Sequence, residues 1–180
     1  MHMGEKENIE KFTLWERSTR VPLLISVPGL THEGTKCEQP VSLMDLYPTL
    51  VDLTGFDKPL HLDGKSLVPQ INNPNTETSP VISSYRFTWT EKPITGHAVR
   101  SIRYRYIYYP EINLEELYDH ENDPKEWENI AYKEKNKRII DEHRKVLLDM
   151  LPHLTWRPGN PDGYSIDTHG NVLCDDFESH

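Results

Sequence analysis

The stretch from residue 4 to residue 29 constrains the fold most, because it joins a charged segment, residues 4–20, to a short apolar run. It reads GEKENIEKFTLWERSTRVPLLISVPG and contains the proline-bracketed run VPLLISVP at residues 21–28. That run is too short for a helix and rich in branched side chains, so it predicts a strand buried on both faces of a sheet. Charged loops that lead into such strands are where α/β enzymes place catalytic groups.

A helix is predicted next, from Asp45 to Gly55. Asp45 is a residue type that caps helix N-termini, and Pro48 lies in the first turn, where its missing N–H would have no intrahelical partner. Gly55 suits the left-handed conformation that often ends a helix. The polar, proline-broken run NNPNTETSP at residues 72–80 has the composition of a linker, and we place the domain boundary there, after residue 77.

The second half of the chain has two clear periodic patterns. Residues 98–109 alternate as one strand, with tyrosines on one side and arginines on the side that should meet solvent or acidic groups. Residues 115–118 are expected to pair with it as the next antiparallel strand, and residues 134–151 predict an amphipathic helix that includes a packing histidine, His143.

These elements define the predicted fold class, α/β. Residues 1–77 are predicted to form an α/β piece. Residues 78–180 form a small α+β domain with an antiparallel sheet and one helix.

Three stretches of this sequence are similar to one enzyme family. The first stretch resembles the formylglycine-dependent sulfatases, and it contains Gly-Glu-Lys, a second lysine five residues later, and Trp-Glu-x-x-x-Arg-Val-Pro before a predicted strand. These sulfatases are of the arylsulfatase and iduronate-2-sulfatase type and belong to the alkaline-phosphatase-like superfamily. PVSLMDLYPTLVDLTGF with DGKSLVP resembles the end of the family's large α/β domain, and this implies that residues 1–77 are the C-terminal portion of that domain. AVRSIRYRYIYY with ELYDHENDPKEWENIA resembles its small C-terminal domain. The resemblance covers most of residues 4–132 in the family's order.

The resemblance implies that Lys11 is an active-site lysine that contacts the sulfate. Hydrolysis of a sulfate ester requires cations that neutralise charge on the sulfate and leaving oxygens, and a lysine supplies a compact point charge with three donors. Lys6 fits the family's lysine less well. In the family the small domain contributes to the rim of the substrate pocket, so His97 and Arg100 are candidates for substrate contacts, with strand packing as the alternative. We interpret three other residues as structural: Trp15, Glu16 and Arg20. Arg20 is expected to pair with a carboxylate.

The resemblance also implies a calcium ion or another divalent cation and a formylglycine made from the cysteine of Cys-x-Pro-Ser-Arg. Cys37 is followed by Glu-Gln-Pro and Cys174 by Asp-Asp-Phe, so neither fits that motif. The family's paired metal-binding aspartates are also not among these residues, and we predict no metal ligand here. We expect this chain to be the C-terminal part of a sulfatase, with the missing N-terminal part of the same enzyme as its partner. We expect the chain to be inactive by itself and to expose apolar surface near residues 21–28.

Charge and hydropathy limit the possible partners. The formal net charge of −9 argues against nucleic acid or an anionic membrane as the main partner. No apolar run approaches the roughly 20 residues that span a bilayer. We expect a sulfated small molecule or glycan as ligand, and the resemblance suggests a periplasmic or secreted parent.

Two alternatives stay open. One is a phosphodiester or phosphonate monoester hydrolase of the same superfamily. The other is a non-catalytic module that binds a glycan or a partner protein.

Overall fold

The computed structural model describes residue 6, residues 12–88 and 93–154, and the backbone of two short strands after them. The chain divides into two compact units, one of residues 1–21 with 82–180 and the other of residues Pro22–Val81. The elements are α1 (Glu16–Thr19), a 3-10 turn (Leu43–Asp45), α2 (Leu46–Thr54), α3 (Val68–Asn72), β1 (Val81–Phe87), β2 (Ile94–Arg100), β3 (Tyr104–Tyr109), β4 (Leu114–Asp119), a 3-10 turn (Glu134–Asn136), α4 (Lys137–Met150), β5 (Ser165–Ile166) and β6 (Val172–Leu173).

The helix predicted near residue 45 is confirmed as α2, but it starts differently. Ser42 caps the 3-10 turn before it, because its hydroxyl accepts from the Met44 N–H while the Asp45 carboxylate accepts from the Ser42 N–H. Asp45 therefore belongs to a capping box one turn earlier than expected. Gly55 ends the helix at φ 72°, as its conformational freedom predicts. Among the helices of the described ranges, none is both long and apolar enough to cross a membrane.

The prediction of a buried strand at residues 21–28 is wrong for this structure. The run forms no strand, and within the described residues it has no ladder partner. Val21 is 55% exposed and Leu24 is 89% exposed. An apolar strand of this kind is stabilised by neighbours on both edges and by layers on both faces, and no strand among the described residues pairs with this run. The expected exposed apolar side chains are present in the unit of residues 22–81, among them Leu43, Met44, Leu50, Phe56 and Leu60.

The small domain is a four-stranded sheet in the order β1-β2-β3-β4. Residues 98–109, predicted as a single strand, form parts of two strands that pair antiparallel across a tight turn. In that turn the Ser101 N–H donates to the Tyr104 carbonyl at 2.9 Å and the Tyr104 N–H donates to the Ser101 hydroxyl at 3.1 Å. Period-two alternation continues through the turn, so the pattern alone does not reveal the reversal. The antiparallel pairing of β4 with β3 is confirmed, with Leu117 opposite Tyr106.

The two faces of the sheet hold separate cores. On one face, Tyr106 and Tyr108 pack with Leu117 beneath the buried residues of α4. On the other face, Ile107 and Tyr118 pack with a group that includes Leu14 from the charged segment. The predicted alternation of β3 is therefore confirmed. So is the fold class of a small α+β domain with one long helix.

His143 on α4 is the packing histidine that the helical pattern predicts. It is buried, its Nδ1 lies 2.8 Å from the Ile139 carbonyl, and its Nε2 lies 2.9 Å from the Ser101 hydroxyl. Burial lowers the pKa of the imidazole below its ordinary value. The neutral ring thus joins the helix to the β2–β3 turn.

Truncating the helix at its buried face should destabilise the small domain. Leu147 is fully buried against the sheet, so Leu147→Ala is expected to lower the free energy of unfolding by about 2–5 kcal/mol through the cavity it leaves. Lys145→Ala, at an exposed position of the same helix, should change it by less than about 0.5 kcal/mol. Urea titration measures both variants, and a small effect of Leu147→Ala would contradict the role of α4 as the cover of this face.

Candidate functional site

The predicted site residues lie in different surroundings. Lys11 is outside the described residues. His97 lies in β2 and is buried, with Nδ1 2.8 Å from the Ser84 hydroxyl in β1, and this burial lowers its pKa. Arg100 ends β2, and its Nε donates to Glu16 Oε2 at 3.2 Å while the guanidinium also donates to the Ser101 carbonyl. Arg100 therefore contacts the segment that follows Lys11, whereas the hydrogen bond of His97 stays within the sheet.

Arg105 connects the charged segment to the sheet through several hydrogen bonds. Its side chain is only 2% exposed. Nε donates to Glu126 Oε1 at 2.7 Å, one terminal nitrogen to the Leu14 carbonyl at 2.9 Å, and the other to Glu16 Oε2 at 2.5 Å. The planar guanidinium has donors in fixed directions, so a single side chain orients both the backbone and a carboxylate of the segment.

Glu126 is the buried acidic partner of this arginine. Oε1 accepts from Arg105 and lies 2.7 Å from His120 Nε2, while Oε2 accepts from the Glu16 N–H at 2.7 Å. Burial would raise the pKa of the Glu126 carboxyl. The hydrogen bond with His120 and the charge of Arg105 outweigh burial and hold the pKa below its ordinary value. The residue also has φ of 60°, a backbone conformation that is uncommon for a side chain of this kind.

A second group of contacts forms around Glu116 and Tyr118 in β4. Glu116 Oε2 accepts from the Trp15 indole at 2.7 Å and from the Tyr118 hydroxyl at 2.6 Å. Lys6 Nζ donates to the Tyr118 hydroxyl at 2.8 Å and to the Glu126 carbonyl at 2.6 Å. The same ammonium lies 4.1 Å from the ring centroids of both Trp15 and Tyr118, which is cation–π geometry. Lys6 therefore attaches the start of the segment to the sheet.

Apolar packing brings the segment close enough for these polar contacts. Leu14 is 2% exposed and packs on the sheet above Gly96. A Cβ at Gly96 would lie 2.5 Å from Leu14 Cδ1 and 2.8 Å from a Tyr109 ring carbon. Glycine at residue 96 is thus required for the close approach of the segment.

The residues interpreted from the sequence as structural, Trp15, Glu16 and Arg20, make contacts within the protein. Trp15 begins the short helix α1, because its carbonyl accepts from the N–H groups of Ser18 and Thr19. Glu16 Oε1 lies 3.8 Å from the Arg20 guanidinium, which is the predicted pairing with a carboxylate. All three residues belong to the short helix α1 or to its two ends.

Glu16, His120 and Glu126 place three potential metal-ligand atoms within 4.8 Å of one another. This group does not fit a calcium ion, which prefers six to eight oxygen ligands. Arg105 and Arg100 already contact the two carboxylates, so two guanidinium groups balance their charge. The position that a cation would take between the carboxylates is thus occupied by arginine.

Sequence reasoning missed several residues of this cluster. Arg105 was predicted only to meet solvent or acidic groups, and Glu126 lies in an irregular stretch without periodicity. The Glu16 N–H that donates to Glu126 lies more than a hundred residues earlier in the chain. The repeated acidic residues after the tyrosine strand were the available signal, since they indicate an internal charge match with the arginines but do not say which carboxylate is buried.

Comparison with known proteins places these features in a family. The sequence profile described as N-sulphoglucosamine sulphohydrolase, C-terminal, matches residues 4–152, which include the anchored segment and the small sheet. A Delta 4,5-hexuronate-2-O-sulfatase of Bacteroides thetaiotaomicron is 33% identical over 143 residues, covering 77% of this chain and 30% of that protein. A choline-sulfatase of Rhizobium meliloti is 36% identical over 133 residues, covering 72% of this chain and 25% of that protein.

A solved structure is similar as well. The crystal structure of a putative sulfatase from Bacteroides thetaiotaomicron has a TM-score of 0.54 and 34% identity, covering 66% of this chain and 27% of that chain. This chain thus spans less than a third of the length of each of these relatives.

Acid should release the segment from the sheet. Burial raises the pKa of Glu16, but Arg105 and Arg100 outweigh it, so both Glu16 and Glu126 have folded-state pKa values below the ordinary 4.5. Their stabilising contribution is therefore complete above about pH 4.5 and is lost as the pH falls further through the folded-state values. The Glu16 amide donates to Glu126, so its hydrogen-exchange protection factor should fall in that range.

The Val99 amide in the sheet core is the internal reference for this measurement. Its protection should persist to lower pH than that of Glu16 if the carboxylates hold the segment. An unchanged protection factor for Glu16 at about pH 3 would contradict the role of the two carboxylates.

Proposed function

This chain belongs to the sulfatase family, in its C-terminal region, and on that premise we propose that the whole enzyme hydrolyses a sulfate ester with Lys11 contacting the sulfate. The observation that supports this most directly is the pair of attachments on either side of Lys11 in the sequence. Lys6 and Trp15 are both fixed to the small sheet, at Tyr118 and Glu116. A lysine between two anchored positions is suited to binding an anion in a defined place.

The role of Lys11 follows from the charge that develops during sulfate-ester hydrolysis. Negative charge collects on the sulfate oxygens and on the leaving oxygen, and a positioned ammonium group stabilises it most when water is excluded. A lysine donates three hydrogen bonds from a compact charge, which suits this task. In this proposal, a formylglycine and a calcium ion or another divalent cation supply the nucleophile and further charge neutralisation, from polypeptide outside these residues.

We propose that the substrate is a sulfated carbohydrate. The likeness to a hexuronate sulfatase supports this, whereas the likeness to a choline-sulfatase supports a small non-carbohydrate ester as the rival. In the proposal His97 and Arg100 lie at the rim of the substrate pocket. Both already have protein partners, Ser84 and Glu16, so His97 would contact the substrate through its Nε2 and Arg100 through a remaining N–H group.

Removing the ammonium group should abolish most of the turnover. In the full-length enzyme, Lys11→Ala is expected to lower kcat for a sulfate ester by about 10²–10³-fold, the typical loss for one oxyanion-stabilising donor. Lys145→Ala, at an exposed position of α4, is the matched control and should leave kcat unchanged. Steady-state kinetics, with a thermal melt to show that the fold is intact, measure this effect. Unchanged kinetics for Lys11→Ala would remove the assignment.

The same full-length enzyme should be tested on a panel of esters. A sulfated unsaturated uronate, choline sulfate and an aryl sulfate separate the sulfate classes. Preferred turnover of a phosphonate monoester or phosphodiester would favour the other hydrolase class of the superfamily. Glycan binding without turnover, unaffected by Lys11→Ala in the full-length enzyme, would favour the non-catalytic module.

The 180-residue chain by itself should be inactive. Neither Cys37 nor Cys174 lies in a Cys-x-Pro-Ser-Arg motif, so the nucleophile of the proposed reaction has no source here. Incubating the purified chain with an aryl sulfate should give only the background rate. Measurable turnover above that of a Lys11→Ala chain would contradict this expectation.

A further inference from the structure

The small domain holds the chain on both sides of residues 7–11. Lys6 precedes this stretch and donates to the Glu126 carbonyl and the Tyr118 hydroxyl. Glu16 follows it, and its N–H donates to the carboxylate of the same Glu126. One residue of the small domain therefore contacts the chain before and after Lys11.

These attachments are rigid. Arg105 and Glu126 are 2% and 1% exposed, and each makes three polar contacts through its side chain. Arg105 is fixed by its place in the middle of the sheet, where it pairs across to Tyr118. Charge-assisted hydrogen bonds between buried groups leave little freedom to either partner.

We propose that Arg105, Glu126 and Glu116 are positioning residues, which set the placement of Lys11 in the active site. This inference rests on the proposed function. Lys11 is five residues after Lys6 and four before Trp15 in the sequence, and both of these residues contact the small domain. A displacement of about 1 Å in a group that contacts the transition state costs up to about 100-fold in rate. Residues of the small domain that never touch the sulfate should therefore affect kcat.

Two mild substitutions in the full-length enzyme test this. Arg105→Lys keeps the charge but loses the fork of donors that joins Glu126, Glu16 and the Leu14 carbonyl. Trp15→Phe keeps an aromatic ring beside Lys6 and loses the indole donor to Glu116. Each is expected to lower kcat by about 10-fold or more, with a smaller change in KM.

Arg103→Lys is the matched control. Arg103 lies in the same hairpin, and its ion pairs are with Asp119 and Glu121 at the surface. The same change of residue type there should leave kcat unchanged. If Arg105→Lys fails to fold, Trp15→Phe carries the test, because it alters the segment and leaves the buried ion pairs in place.

A double-mutant cycle with Lys11→Ala separates positioning from a general structural role. If Arg105 acts through Lys11, Arg105→Lys should cost little further kcat once the ammonium group is gone. Losses that multiply would overturn the proposal, as would an unchanged kcat in folded Arg105→Lys and Trp15→Phe enzymes. Lys11→Ala with unchanged kcat would overturn the proposed function itself. An impaired Lys11→Ala enzyme with unaffected Arg105→Lys and Trp15→Phe variants would overturn the positioning role alone.

Discussion

Two carboxylates share one buried guanidinium between the charged segment and the small sheet, and the arrangement of the surrounding chain depends on this. Taking Glu126 and Arg105 out of water costs several kcal/mol for each ion unless geometry and further hydrogen bonds compensate. Here Leu14, Glu16 and His120 supply those hydrogen bonds. Because each partner would be left as an unpaired buried charge without the others, the segment and the sheet are stabilised as a unit. This explains why residues 1–21 group with residues 82–180 although sixty residues lie between them.

Strand β4 connects this cluster to the helix on the opposite face. Its neighbouring glutamates, Glu115 and Glu116, point to opposite faces, as successive residues of a strand must. Glu115 accepts from the Tyr106 hydroxyl at 2.5 Å and pairs with Arg144 of α4 at 2.7 Å. Glu116 accepts from Trp15 on the other side. The helix and the charged segment are thus tied to adjacent residues of one strand, so the packing of α4 supports the surface that holds the segment.

Local patterns in the sequence were sufficient for helices α2 and α4 and for the alternation of β3, because 3.6-residue and two-residue periods report which side chains face a core. The short helix α3 was not predicted. The patterns failed at residues 21–28, where hydrophobicity indicates burial but no strand among the described residues pairs with this run. They also failed at the Ser101 turn, since alternation is blind to a chain reversal. The contacts of Glu126 could not be predicted, because they depend on a left-handed backbone and on partners more than a hundred residues away.

In the proposed function, the N-terminal and C-terminal parts of the sequence have different roles, and the contacts described above explain why. A flexible lysine is a poor anion ligand unless the chain that carries it is held, because ordering its side chain costs about 2 kcal/mol of conformational entropy. In the proposed function Lys11 contributes the positive charge for the chemistry, while the described contacts hold Lys6 and Glu16, which precede and follow it in the sequence. Strands β3 and β4 and the turn at Glu126 provide these contacts. Under that proposal, a substitution in the turn would affect reaction geometry as well as stability.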